Sequence, residues 1–203
     1  MKKLIVCFSS LTLLVSCSGI NKKVVVFSKG DPKINEEAKT IEVDDGAGHE
    51  SKEVQFGNGA IDLKLTTPRG NTTVNIPGNG LYVLNTQKDT IVGSFITYGE
   101  NAIKKFSQEE IVRQIDSLKQ LTIGKNVSAD KKNFFILPNT AVKISENLDA
   151  IVVAPFHNMK SVEAVDGKAP EVYRFYTTKE IRENIEKVKQ NLDKRIVDSL
   201  NKQ

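Results

Sequence analysis

Alternating apolar and polar residues dominate the first half of the chain and restrict its fold more than any other feature. Ile61, Leu63 and Leu65 alternate with Asp, Lys and Thr, and residues 72–76 repeat the pattern. Such alternation is typical of a β-strand with one buried face. Turn-forming residues separate these segments, at Asp45-Gly46, Gly57-Asn58-Gly59, Pro68-Arg69-Gly70 and Pro77-Gly78-Asn79-Gly80. We therefore predict a sandwich-like meander of short strands over residues 37–100.

The second half of the chain mixes strand and helix patterns. Ser107 and Glu110 form a capping box, and the apolar residues that follow recur at helical spacing. Short apolar runs within residues 134–153 and 172–176 predict further strands. The fold class predicted for the chain is therefore α+β, with a β-rich body and a second region over residues 101–203.

The last segment is predicted to form a long amphipathic helix over residues 178–201. Its apolar residues recur every three or four positions between charged and amide side chains. They are Ile181, Ile185, Val188, Leu192, Ile196 and Leu200. Two interpretations follow from this narrow stripe. It packs against the sheet, or it binds an envelope protein partner as a coiled-coil seam.

The N-terminus has the layout of a secretory signal. Two lysines follow Met1, and an apolar run over residues 4–15 comes next. That run is well short of the roughly 20 residues that a membrane-spanning helix needs. The tetrad Leu14-Val15-Ser16-Cys17 resembles the lipobox of bacterial lipoproteins, including those of Bacteroidota. The sequence therefore predicts a signal peptide over residues 1–16.

The lipobox resemblance implies cleavage between Ser16 and Cys17 and acylation of the Cys17 sulfur. The lipid bilayer is then the first expected partner, because two or more acyl chains attach a protein durably. The alternative is an ordinary secretory signal, which leaves Cys17 as a free thiol. Ser18 stands where well-studied lipoproteins of the inner membrane carry Asp. We therefore expect the outer membrane, with the protein facing the periplasm.

Residues 17–36 are polar and irregular, and we interpret them as the lipidated N-terminus and its tether. One stretch departs from that interpretation, because Val24–Phe27 is apolar and rich in β-branched residues. Two readings of the stretch stay open. It forms a first strand that docks onto the body, or it lies against the lipid headgroups.

Charge and cysteine content exclude several classes of function. The loss of Lys2 and Lys3 with the signal lowers the basic residues from 29 to 27, against 25 acidic ones. This nearly neutral balance does not indicate nucleic acid as a partner. Cys7 leaves with the signal, so Cys17 is the one cysteine of the mature chain. Disulfides and cysteine-thiolate catalysis are therefore excluded, and the hydrophobic core must provide the stability.

One loop collects residues that could bind a cation. Asp44, Asp45, His49 and Glu50 lie close together between two predicted strands. Carboxylate oxygens suit hard cations, but their order differs from the alternating acidic positions of a calcium loop. The alternative is a solvated turn in which Asp and Gly supply unusual backbone angles. We therefore predict no metal centre and no cofactor, and keep these four residues as candidate ligands.

No arrangement of residues indicates an enzyme, and no catalytic residue is predicted. His157 precedes Ser161, but the Gly-x-Ser-x-Gly elbow that exposes a nucleophilic serine is missing from the sequence. The alternative is a hydrolase acting on glycans, with Asp44 or Asp45 placed across a cleft from Glu50 or Glu53. We expect a non-catalytic envelope protein that binds a ligand, scaffolds or takes part in assembly.

Asp89-Thr90-Ile91 resembles the short O-glycosylation motif of Bacteroidota envelope proteins. The resemblance makes Thr90 a candidate glycosylation site. Two further matches, Asp116-Ser117-Leu118 and Asp198-Ser199-Leu200, fall on predicted helices.

Overall fold

The computed structural model describes residues 19–96, 108–128, 130–159 and 169–200, and within helices it leaves out the side chains of 108, 110, 111, 114 and 191–200. These residues form twelve strands and two helices. The strands are β1 (Lys22–Lys29), β2 (Lys33–Asn35), β3 (Thr40–Glu42), β4 (His49–Phe56), β5 (Ile61–Thr67), β6 (Gly70–Ile76), β7 (Gly80–Asn85), β8 (Ile91–Ile96), β9 (Asn133–Ile136), β10 (Thr140–Ser145), β11 (Ile151–Val153) and β12 (Val172–Thr177). The helices are α1 (Gln108–Thr122) and α2 (Thr178–Leu200).

The strands form three mixed sheets of four strands each. The central sheet has the order β10-β7-β1-β4, the outer sheet β2-β3-β5-β6, and the helix-side sheet β11-β12-β8-β9. One core fills the space between the central and outer sheets, and a second lies between the central and helix-side sheets. A third core joins the helix-side sheet to the helices. This layering confirms the prediction of a β-rich α+β body.

The alternation over β5 is confirmed, because Ile61, Leu63 and Leu65 are buried and the residues between them are exposed. The strand order differs from the predicted meander, however. β7 pairs with β10 and, in parallel, with β1, and neither of these strands follows or precedes it directly. A parallel pair needs a long crossover connection, and such pairing leaves no local turn signal.

The prediction of a tether over residues 17–36 is wrong for β1. This strand lies between β4 and β7 in the central sheet, where all eight of its residues are paired with β4. Val24 and Val26 face the first core, while Val25 and Phe27 face the second. Because both faces are buried, the strand is a continuous apolar run without alternation. The alternative of a first strand that docks onto the body is therefore confirmed.

The two predicted regions, divided at residue 100, share their sheets. β10 from the second region completes the central sheet, and β8 from the first joins β9 and β12 in the helix-side sheet. Strands that follow each other in the sequence are therefore not always neighbours in a sheet, because the central and helix-side sheets contain strands from both regions. The described residues of the two regions therefore share the second core.

Both helices pack against the helix-side sheet. Ile115 and Leu121 of α1 and Ile181 and Ile185 of α2 are buried in the third core, whereas Val188 is 39% exposed. The predicted capping residue Ser107 lies outside the described residues, as do the side chains of α2 from residue 191 onward. Neither described helix is long and apolar enough to cross a bilayer.

The stacked strands give the body two ends, which we name after the two ends of β1. The Lys22 end holds the turns at residues 57–60 and 77–80, because Lys22 lies opposite Phe56 and Gly80. The Lys29 end holds the start of β4, because Lys29 lies opposite His49. α2 also starts there, since the Thr178 N–H donates to the Thr90 carbonyl just before β8.

Candidate functional site

The fold brings the two histidines of the chain together at the Lys29 end. His49 opens β4, and its ring lies 4.2 Å, between centroids, from the ring of Phe156. His157 directly follows Phe156 in the chain, and its positive charge lowers the pKa of His49. In the sequence the two histidines are far apart, His49 in a predicted loop and His157 after a predicted strand. The structure places the His49 ring against Phe156, the residue before His157, and we call His49, Gln87, Phe156 and His157 the histidine cluster.

Hydrogen bonds fix the tautomers of both rings. The Gln87 amide nitrogen donates to the Ser28 carbonyl at 3.4 Å, so its oxygen faces His49. That oxygen only accepts, and the His49 Nδ1–H donates to it at 3.0 Å. His157 Nδ1 lies 2.9 Å from the Pro155 carbonyl and donates in the same way. In their neutral forms both imidazoles therefore carry a lone pair on Nε2.

The surroundings of His49 favour its neutral form. Burial lowers the pKa of His49, and the positive charges of Lys29 and His157 lower it further. The hydrogen bond to Gln87 and the charge of Asp89 act in the opposite direction but are outweighed. Since the usual pKa is 6.5, His49 is neutral at pH 7. A neutral ring that stacks on Phe156 is a packing and hydrogen-bonding group rather than a fixed charge.

Phe156 is held in an unusual backbone conformation and remains exposed. Its φ is 62°, in the left-handed region that bulky residues rarely adopt, and its side chain is 42% exposed. The Phe156 N–H donates to the Glu180 carboxylate at 3.1 Å. Glu180 lies in the first turn of α2, where Thr177 Oγ1 accepts from its N–H at 3.0 Å. Burial raises the pKa of Glu180 above its usual value. Strained backbone conformations like that of Phe156 are concentrated at functional sites in folded proteins.

The candidate cation ligands are paired with basic side chains instead. Asp45 Oδ2 lies 2.9 Å from Lys88 Nζ and 3.4 Å from Arg69 Nη1. Asp44 lies 3.8 Å from Lys33, and Glu50 is exposed. The described residues hold no group of three or more His, Cys, Asp or Glu side chains arranged to hold a metal ion. Asp44 and Asp45 of this loop are thus engaged in ion pairs with basic side chains.

A second polar cluster lies at the Lys22 end and was missed by sequence reasoning. Glu171 accepts hydrogen bonds from Tyr173 at 2.5 Å, Ser145 at 2.9 Å and Lys132 at 3.0 Å. Burial acts to raise the pKa of Glu171, but these three bonds outweigh it and lower the pKa. The same carboxylate raises the pKa of Lys132, whose ammonium lies 4.5 Å from the Phe95 ring centroid. All three donors bind the same carboxylate. Because Ser145 lies in β10 and Tyr173 lies in β12, the cluster joins the central and helix-side sheets.

The surface of the body has two depressions that could hold a ligand. One lies on the outer sheet and is lined by Thr40, Glu42, Lys64, Leu65, Thr66, Asn71, Thr72 and Thr73. The other lies beside the start of α2 and is lined by Thr90, Thr122, Ile123, Thr178 and Arg182. The first has one carboxylate and the second has none, so neither offers the carboxylate pair of a glycosidase. Thr90, the candidate glycosylation site, is half-buried in the turn before β8.

Several predicted site residues fall outside the described part of the chain. Ser16 and Cys17 do so, and Ser161 does as well, so the pairing of His157 with Ser161 stays undecided. Among the described residues, the histidine cluster combines an exposed aromatic ring, two imidazoles and an adjacent set of ion pairs. That combination can contact a partner through stacking and hydrogen bonds.

The sequence matches no protein-family model, no curated protein and no solved structure.

Proposed function

We propose that the protein is an envelope lipoprotein, anchored to the membrane through acylated Cys17, with a non-catalytic role in binding, scaffolding or assembly. The tetrad Leu14-Val15-Ser16-Cys17 carries this proposal. We further propose that it sits on the outer membrane and faces the periplasm. The acyl chains would provide the membrane affinity, so the body needs no membrane-crossing element of its own.

The internal contacts of the carboxylates support a binding role rather than hydrolysis. Asp45 is shared between two basic side chains, and Glu171 accepts from three donors. Glu180 is buried and engaged with the Phe156 N–H. A glycosidase needs two carboxyl groups that face each other across a substrate cleft. These three carboxyl groups are instead occupied by contacts within the body.

The histidine cluster is the proposed contact surface for a partner. Phe156 is an exposed aromatic residue held by a buried carboxylate and a stacked imidazole, which limits the conformational entropy lost on binding. Aromatic side chains of this kind often dominate the energy of an interface. The predicted amphipathic helix over residues 178–201 is a second proposed surface for an envelope protein partner, restricted to the part of its stripe after Ile185, because Ile181 and Ile185 are buried in the third core.

Substitution of the lipobox cysteine tests the anchor. We expect Cys17→Ala to release the protein from the membrane fraction after a high-salt wash, because its acyl chains are lost. The matched control is Cys7→Ala, whose cysteine leaves with the signal peptide. It should stay membrane-bound, with an acylated N-terminal peptide by mass spectrometry. Equal retention of both variants, or a native N-terminus other than Cys17, would refute the anchor.

Cross-linking in intact cells tests the binding role. We expect Phe156→Ala to lose specific cross-linked species formed by the wild-type protein, by about 30-fold if Phe156 contributes as a binding hot spot. Phe95→Ala is the matched control, because Phe95 is also exposed, at 36%, but lies at the other end of the body. The contact surface is wrongly placed if Phe95→Ala loses the same species and Phe156→Ala retains them.

A further inference from the structure

The distance between the proposed anchor and the folded body is short. The Asn21 N–H donates to the Phe56 carbonyl, and the Asn21 carbonyl accepts from Gly80, so the body begins at residue 21. Cys17 precedes Asn21 by four residues, which span at most about 14 Å when fully extended. An acylated Cys17 must therefore lie close to the Lys22 end, while the Lys29 end is one strand length farther away.

The two turns that flank β1 at the Lys22 end contain no charged residue. The turn at residues 57–60 contains Gly, Asn and Ala, and the turn at 77–80 contains Pro, Gly and Asn. Ile20, between the anchor and β1, is 56% exposed. These turns can approach lipid headgroups without the cost of dehydrating a charged side chain. Neighbouring loops at this end do carry charge, in the Lys132–Glu171 and Lys143–Glu146 ion pairs, so the uncharged surface is confined to the two turns and Ile20.

Lys22 holds the two uncharged turns together from inside the body. Its side chain is fully buried, and its ammonium donates to the Gly59 carbonyl and, at 3.3 Å, to the Ile76 carbonyl. The end of the body nearest the anchor is thus braced by a cation whose charge does not reach the surface. Because Lys22 bonds to Gly59 in one turn and to Ile76 just before the other, the two turns form one preformed surface rather than two independent loops.

We propose that the Lys22 end is the surface that rests on the bilayer, with Ile20 and the two turns at the headgroups. This inference rests on the proposed lipid anchor and adds an orientation to it. β1 has eight residues and spans about 23 Å at the usual rise per residue. The histidine cluster at the Lys29 end consequently faces away from the membrane, where a partner can reach it.

Two exposed alanines provide a matched test of this orientation. Ala60 lies in the turn at the Lys22 end, and Ala47 lies in the loop at the Lys29 end. The acylated protein has no free thiol, so a fluorophore attaches only to the cysteine of Ala60→Cys or Ala47→Cys. Each labelled full-length protein is reconstituted into vesicles that contain a lipid with a headgroup-linked quencher. We expect most of the fluorescence to be lost at position 60 and almost none at position 47.

The outcomes separate the orientation from the anchor. Flotation with the vesicles and the mass of the N-terminal peptide report on acylation for both variants. If neither variant floats and Cys17 is unmodified, the anchor is refuted and the orientation falls with it. If both float but are quenched equally, or position 47 is quenched more, the anchor stands and the orientation is overturned. Substitution of exposed alanines rarely unfolds a protein, and circular dichroism of both variants checks this.

Discussion

The two ends of the body differ in where they keep their polar groups. The described residues have eight buried polar or charged side chains, and seven of them lie at the Lys29 end: Ser28, Thr67, Asn85, Thr86, Gln87, Thr177 and Glu180. Lys22 is the eighth and lies at the other end. The Lys29 end therefore has a polar interior, whereas the Lys22 end has one buried cation beneath two uncharged turns and carries its ion pairs, Lys132–Glu171 and Lys143–Glu146, nearer the surface.

This difference indicates what each end is built to do. A network of buried, hydrogen-bonded side chains specifies one arrangement and holds surface groups such as Phe156 and His49 in place. Uncharged turns specify little by themselves, but they form a surface that can lie against headgroups at low desolvation cost. This difference is what we would expect if the proposed membrane contact and the proposed partner contact lie at opposite ends of the same strands.

Replacement of Lys22 should give the largest loss of stability. Lys22→Ala removes a fully buried side chain and leaves the Gly59 and Ile76 carbonyls without their donor. We expect the free energy of unfolding to fall by about 3 kcal/mol, from the cavity and the unsatisfied carbonyls. Urea unfolding in the Cys17→Ala background measures this change. Lys29→Ala, at the other end of β1, is the control and should cost about 0.5 kcal/mol or less. Equal losses would show that Lys22 does not brace its end.

Replacement of Glu180 should have an intermediate effect at the Lys29 end. Glu180→Ala leaves the part-buried Phe156 N–H without its acceptor, which we expect to lower the free energy of unfolding by about 1–2 kcal/mol. Glu183→Ala is the control, because Glu183 makes an exposed pair with Lys179 in the same helix and should cost about 0.5 kcal/mol. Urea unfolding compares the two variants. A smaller loss for Glu180→Ala than for Glu183→Ala would mean that the carboxylate does not hold Phe156.

Local patterns predicted the strands that have one buried face. The sequence predicts that Ile61, Leu63 and Leu65 are buried, because a period of two places alternate side chains in the core and in solvent. β1 has two buried faces and shows no period, so its sequence alone does not separate it from the tether. Its parallel pairing with β7 joins residues more than 50 positions apart, and such contacts leave no local signal. The order of strands therefore could not be read from the sequence.

The candidate site was predicted only in its parts. His49 and His157 were singled out as residue types, but the contact of His49 with Phe156, next to His157, depends on the packing of the central sheet against the helix-side sheet. Glu180 and Gln87 resemble ordinary surface residues in the sequence, and only their burial shows that they hold the site. Lys22 misleads in the same way, because lysine is almost never fully buried. No signal in the sequence identifies these residues before the fold is known.

The smallest predicted effect sharpens the comparison through pH. Because the pKa of His49 is lowered from 6.5, the unfolded chain binds the proton more readily than the folded protein. The stability contributed by neutral His49 is complete above pH 6.5 and is lost as the pH falls from 6.5 to the pKa of the folded state. Urea unfolding at several pH values between 7 and 5 should show this decline, and His49→Gln should reduce it while keeping a polar side chain at the position. An unchanged decline in His49→Gln would place the acid-sensitive group outside the histidine cluster. A reduced decline would show that the Lys29 end, which we propose faces the partner, is also the end that responds to mild acid.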